Sequence, residues 1–231
     1  MRILKVSRFA SLIPMFLPLF VLAGTTGPEA KSCLNDVKIQ ELRSKELKDL
    51  YSGDQADRKE IEAHLDKTWP KSAVRKMASN DLKRRRRVAE IFAEGCFKTA
   101  ADYGEAAMVY QHGTVPDHFF QTFIWAKRAV ELGDSNQKQL VALGIDRYLM
   151  SLNQAQLFGS QAKKMTADDL CWCLWPVEAS FPETTRSNYL GMTLDQKRAW
   201  LKEINGKNDC PVAECKVEVK RTPKGSVAGF W

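Results

Sequence analysis

Histidine is scarce in this chain: there are three in 231 residues, His64, His112 and His118. His112 and His118 are six apart and flank an expected turn, which is not a usual ligand spacing on one helix face, so a histidine-built metal centre is poorly served. No serine or cysteine stands in a recognisable nucleophile motif. No segment recurs at a fixed period, which argues against a helical-repeat solenoid. The uncharged stretch Phe9 to Ala23 spans only fifteen residues and holds Pro14 and Pro18, short of the about 20 apolar residues that cross a membrane. Neither a metal nor a cofactor is expected from these residues.

What that N-terminal stretch does fit is a secretory signal. Arg2, Lys5 and Arg8 supply the positive start, and small residues at Ala23, Gly24, Thr25, Thr26, Gly27 and Ala30 supply cleavage positions. Thr25 stands where a lipobox needs its cysteine. Residues 1–30 are therefore set aside as a signal peptide, and a secreted or periplasmic location is expected. Six cysteines outside that segment agree with an oxidising compartment and admit three disulfides in any of fifteen pairings. Cys171 and Cys173 are too close to bond each other and need distant partners. Cys210 and Cys215 can close their own short loop, and Cys33 and Cys96 can tie an end to the body. A metal site on Cys171-Trp172-Cys173 is the weaker reading.

The apolar share of 44% is enough for a real core, and the formal charge is +7. Removing residues 1–30 takes away three positives and Glu29, leaving about +5 by the same counting. This mild basicity favours acidic surfaces without requiring nucleic acid, which is an unlikely partner for an exported chain. Within Lys83-Arg84-Arg85-Arg86-Arg87, consecutive arginines cover all faces of a helix, so at least one should point inward to a carboxylate. The alternative is weak contact of Arg84, Arg85, Arg86 and Arg87 with an anionic membrane surface.

Periodicity predicts a mainly α protein. The expectation is an antiparallel bundle of about five or six helices in residues 31–164, then an irregular, disulfide-braced extension over 165–231. Val37, Leu42, Leu47, Leu50 and Tyr51 mark a first helix ending near Gly53, and Asp54 and Asp57 open a second charged segment to about Lys67. Asn80 or Asp81 caps a helix with an apolar stripe at Leu82, Val88, Ile91 and Phe92 and a stop at Gly95. Asp102 caps the next, rich in Ala106, Ala107 and Val109, ending at His112-Gly113. Pro116 opens a helix through Phe119, Phe120, Phe123, Ile124 and Val130 to Gly133. Leu140, Val141, Ile145 and Leu149 line a further one over 136–151. Thr193 and Gln196 form a capping box for a helix through Asn205, and Val217 and Val219 suggest a short strand in Cys215 to Lys220. Trp172, Trp175 and Phe181 read as core filler ahead of a sugar-binding platform.

Four polar motifs interrupt this pattern: Asp54-Gln55-Ala56-Asp57-Arg58, Gln111-His112, Asp146-Arg147, and Gln156-Leu157-Phe158-Gly159-Ser160-Gln161. In their order and spacing, over roughly residues 45–162, the chain resembles a family of uncharacterised bacterial proteins, often exported, known only as a domain of unknown function. Ser160 stands where that family more often has threonine. The resemblance implies a helical fold and a shared polar site, and brings no established activity.

Three readings of these residues stand side by side. In the first, the protein is an exported binding or interaction protein whose polar cleft is built from His112, Asp146, Arg147, Gln156 and Gln161, with Asp54 and Arg58 at the rim, for a small molecule or an envelope protein. In the second, it is an envelope hydrolase-like enzyme in which His112 is a general base oriented by Asp146, and Arg147 stabilises developing negative charge. In the third, the same groups form an internal network that ties helices together. Asp146 and Arg147, adjacent on a helix, point about 100° apart and so serve different neighbours.

Overall fold

The first helix, α1 (Val37–Glu62), does not stop at Gly53. Asp36 caps its start by accepting from the backbone N–H groups of Lys38 and Ile39. Beyond Gly53 the helix is held by charges rather than by apolar burial. Arg58 grips Asp81 with two hydrogen bonds of 3.0 and 2.7 Å, and Asp57 accepts from Arg84 at 2.7 Å. The glycine has a function here other than termination: a Cβ at Gly53 would lie 3.4 Å from the Arg84 guanidinium, so its bare backbone lets that side chain lie close.

This computed structural model describes residues 32–34, 36–62, 70–165, 171–206, 210 and 214–231. The expected signal peptide at 1–30, and His64 with it, lie outside the described residues. Seven α-helices and one two-stranded ribbon appear among them.

Helix α2 (Lys71–Ala93) opens at Pro70, earlier than the expected cap at Asn80 or Asp81. Its buried face is Asp81, Arg85, Val88 and Ile91, so half of the stripe is charged. Leu82 and Phe92, placed on that stripe by hydropathy, are 44% and 47% exposed. The helix ends at Gly95, whose φ of +73° suits glycine. Helix α3 (Ala100–Gln111) starts from Thr99, with Asp102 as the reciprocal partner of a capping box rather than the cap itself.

Helix α4 (Pro116–Glu131) begins on its proline as expected, and α5 (Lys138–Ser151) follows a 3-10 turn, Ser135–Gln137. The two pack closely because Gly144 carries no side chain. A Cβ there would sit 2.8 Å from the Phe123 backbone nitrogen. Thr122 adds a bond from its hydroxyl to the Ala107 carbonyl of α3, 3.2 Å.

The C-terminal part contains more structure than the irregular extension expected. Strands β1 (Ala162–Lys164) and β2 (Trp172–Leu174) pair antiparallel, with Lys163 opposite Cys173. Helix α6 (Glu183–Leu190) was not expected, whereas α7 (Leu194–Gly206) starts at the Thr193–Gln196 capping box. The strand expected over 215–220 does not form. Val217 is exposed and has no sheet face to pack on, and the segment is pinned by isolated bridges, Leu174 to Glu214 and Gln154 to Lys220. Residues 31–231 form one compact unit. Val227 is buried in the main core, and the Phe230 ring lies 5.7 Å from Phe158.

All six cysteines form disulfides: Cys33–Cys96, Cys171–Cys210 and Cys173–Cys215. The first joins the start of the chain to the end of α2, as expected. Cys210 and Cys215 do not close their own loop. Each instead bonds one member of the Cys171/Cys173 pair, which leaves no thiolate there for a metal.

Candidate functional site

The polar motifs converge on the C-terminal end of α3. A helix end leaves carbonyls without intrahelical partners and carries partial negative charge, so it attracts cations. Two guanidinium groups meet it: Arg147 donates to the Gln111 carbonyl at 2.7 Å, and Arg85 to the His112 carbonyl at 2.8 Å. Arg85 is the most buried member of the arginine run and its acceptor is a carbonyl, while the expected inward pairing with carboxylates is made by Arg84, its side chain 13% exposed, with Asp57 and Asp81. Burial lowers the pKa of both guanidinium groups from the usual arginine value.

His112 leaves this end sideways and pairs with Asp54, not with Asp146. Its Nδ1 lies 3.0 and 2.9 Å from the two carboxylate oxygens. An ionised carboxylate only accepts, so Nδ1 carries the proton and Nε2 is left as the basic nitrogen of the neutral ring. Asp54 is completely buried and also accepts from Gln55 at 2.9 Å, with Arg58 3.6 Å away. Arg58 therefore lies behind the imidazole, bridging Asp54 to Asp81, rather than at an open rim.

Asp146 is the centre of a different construction. Its carboxylate accepts from the backbone N–H groups of Leu157 (2.8 Å), Phe158 (3.0 Å) and Ser160 (2.8 Å). Complete burial raises its pKa above the usual aspartate range, against the opposing pull of those N–H bonds. Gln156 closes the same loop, its amide oxygen accepting from Gln161 N–H while its amide nitrogen donates to the Gln161 and Trp175 carbonyls. Gly159, at φ +79°, makes the turn between them. Asp146 and Gln156 are therefore loop-building residues, and what they present is Ser160 and Gln161.

Arg147, about 100° further round α5, projects beside that loop. Its guanidinium lies over the Phe119 ring, 5.5 Å to the centroid, and its Nε approaches the Gln161 amide oxygen at 3.4 Å. Among the described residues no carboxylate forms an ion pair with it, and its Nη2 has no partner. Arg147, Ser160 and Gln161 open onto a hollow of about 330 Å³, whose other walls are Trp172, Lys197, Trp200 and the apolar Leu143, Leu201 and Ile204. His112, Asp54 and Arg58 are not among its lining residues. The expected single cleft is thus two adjoining features: a closed Asp54–His112–Arg58 cluster and an open hollow beside Arg147. They share only the end of α3.

Lys197 and Trp200 were not expected at the site. Their signal was nonetheless present, since positions 197, 200, 201 and 204 fall on one face of the helix that the Thr193 capping box starts. Lys197 Nζ sits 4.0 Å from the Trp200 ring centroid. Burial lowers its pKa, with the Asp146 charge opposing. Asn205, fully buried, accepts from Trp172 N–H and donates to Trp172 carbonyl, so α7 and β2 hold the two tryptophans in place. Of the expected aromatic core filler, Trp175 and Phe181 are buried, whereas Trp172 is half-buried at the hollow.

The remaining arginines are mostly occupied internally. Arg84 pairs with Asp57 and Asp81, and Arg87 with Glu46 and Glu90, while Arg86 is exposed. Among the described residues no group of three or more His, Cys, Asp or Glu side chains is arranged to hold a metal ion, and no helix is long and apolar enough to cross a membrane. No protein-family model, curated protein or solved structure matches the chain.

Proposed function

We propose that this is an exported binding protein that takes a small anionic ligand in the hollow beside Arg147. One observation carries the reading: a largely buried guanidinium, with no carboxylate partner among the described residues, lines a concave space. Burying an unpaired charge is costly, and an anionic guest would offset that cost. The half-buried Lys197, which also lines the hollow, adds a second cation. Two of the motifs behind the family resemblance supply part of the hollow's lining, through Arg147, Ser160 and Gln161. Export rests on the signal-like N-terminus together with the disulfides.

The test is a thermal-shift survey of small anions (acetate, citrate, phosphate, sulfate and glucuronate) against matched ionic strength in chloride. At least one should raise Tm in the native protein and not in Arg147→Gln. If no anion does better than chloride, the hollow is not an anion site.

The Asp54–His112 pair favours a second reading, in which Nε2 acts as a general base in an envelope hydrolase-like reaction. It predicts turnover of an activated ester such as p-nitrophenyl acetate that is lost in His112→Ala. Equal background rates for the two proteins would remove it.

A further inference from the structure

Resting on the reading of the hollow as an anion site, we infer that its ligand class is a monocarboxylate with an apolar or aromatic body. The cationic and polar groups, Arg147, Ser160, Gln161 and Lys197, are few, and the aromatic walls are Trp172 and Trp200. This division of the lining selects an amphiphile. One end needs to be an oxyanion that accepts from the free Nη2 of Arg147, a contact stronger than a neutral hydrogen bond because both partners are charged. The rest needs to be apolar, because the remaining walls are indole and aliphatic surface that would leave hydroxyl groups unpaired.

Size narrows the class further. A space of about 330 Å³ is near the lower end of the about 300–1,000 Å³ typical of small-molecule pockets. It accommodates a one- or two-ring carboxylate or a short alkyl chain. A phosphate is a worse match: its dianionic form calls for several converging donors, whereas Arg147 has one uncommitted edge and one of the two N–H groups of the Gln161 amide is already given to Ser160, 2.8 Å. A sugar acid is worse in a different way, since its ring hydroxyls would meet aliphatic wall at Leu201 and Ile204.

The tryptophans supply a readout. Titration of the full-length protein with phenylacetate should quench or shift intrinsic fluorescence and release heat in calorimetry. The neutral isostere phenylacetamide should bind at least about tenfold more weakly, the usual effect of exchanging a charge-assisted contact for a neutral one. Trp200→Ala should weaken phenylacetate about tenfold through lost ring contact. Arg147→Met should abolish the preference for the acid over the amide. Because Arg147 also caps α3, Lys197→Met serves as a second variant that leaves that cap untouched, and it should weaken the acid more than the amide. If glucuronate or phosphate binds more tightly than phenylacetate in an Arg147-dependent way, the ligand class is wrong while the anion site stands. If phenylacetate and phenylacetamide bind equally, the class is wrong as well. If none of these probes binds to the folded protein, both readings fall.

Discussion

Asp54 and His112 meet across 58 residues of chain, with the imidazole Nδ1 about equidistant from both carboxylate oxygens at 3.0 and 2.9 Å. The pair joins the middle of α1 to the end of α3. It also explains why a helix as polar as α1 can pass Gly53 unbroken, since Asp54 is met by the His112 imidazole and Asp57 by the Arg84 guanidinium, each from another segment.

The two members should not be equally costly to remove. Asp54→Ala takes the acceptor from both the imidazole Nδ1–H and the Gln55 amide, while Arg58 keeps its two bonds to Asp81, and is expected to cost about 2 kcal/mol. His112→Ala should cost only about 1 kcal/mol, because the half-exposed ring leaves a space that water can enter to reach the carboxylate. Urea denaturation of the two variants measures the difference. Equal losses would mean that Asp54 is not the hub.

Asp146 gives a sharper test, since its role is to gather backbone N–H groups rather than to meet a ligand. Asp146→Asn retains the shape but turns an NH2 group toward donors, with an expected loss of about 2 kcal/mol or more. Hydrogen exchange should accelerate at the amides of Leu157, Phe158 and Ser160 and leave α3 little changed. Unaltered protection at those three amides would contradict the assignment.

Glu105, on α3, is pushed up to about 7 by burial and by the nearby Asp102 charge, with Lys48 partly offsetting. A carboxyl whose pKa is higher in the folded state favours folding when protonated. Its contribution is complete below the ordinary value of 4.5 and is lost as pH rises through about 7. Glu105→Gln should therefore stabilise the protein at pH 8 by about 1 kcal/mol, a figure reduced for the water that reaches this half-buried side chain, and by close to nothing at pH 4. Thermal melts across that range should show the gain appearing between those limits. A gain independent of pH would point to packing instead.

The disulfides are testable without reference to function. The folded protein should resist alkylation until it is reduced, and six thiols alkylated beforehand would refute all three bonds. Replacing Cys33 and Cys96 together by alanine should lower stability by about 4 kcal/mol, the size expected when a loop of 63 residues loses its closure.

Local signals were sufficient for the parts of this protein that local forces govern. Gly95 as a stop, Pro116 as a first helical residue, the Thr193 capping box and the apolar run of α5 could all be read from short stretches, because each depends on groups within a turn or two of one another. The errors share one cause. The boundaries at Gly53 and Asn80, and the supposed burial of Leu82 and Phe92, failed where buried positions are charged. Hydropathy cannot show that Arg85 or Asp81 faces inward, since such burial is tolerable only when a partner arrives from elsewhere in the chain.

The candidate site divides in the same way. That polar groups would gather could be expected from their interruption of apolar helices, but their pairing could not. Asp146 and Asp54 are the same side chain twice; one came to hold a loop and the other an imidazole because helix packing brought different donors within 3 Å of each. Cys171 and Cys173 likewise have Cys210 and Cys215 as partners because the fold brings those residues beside strand β2. Short-range forces set the helices, and long-range packing chose every partner across them.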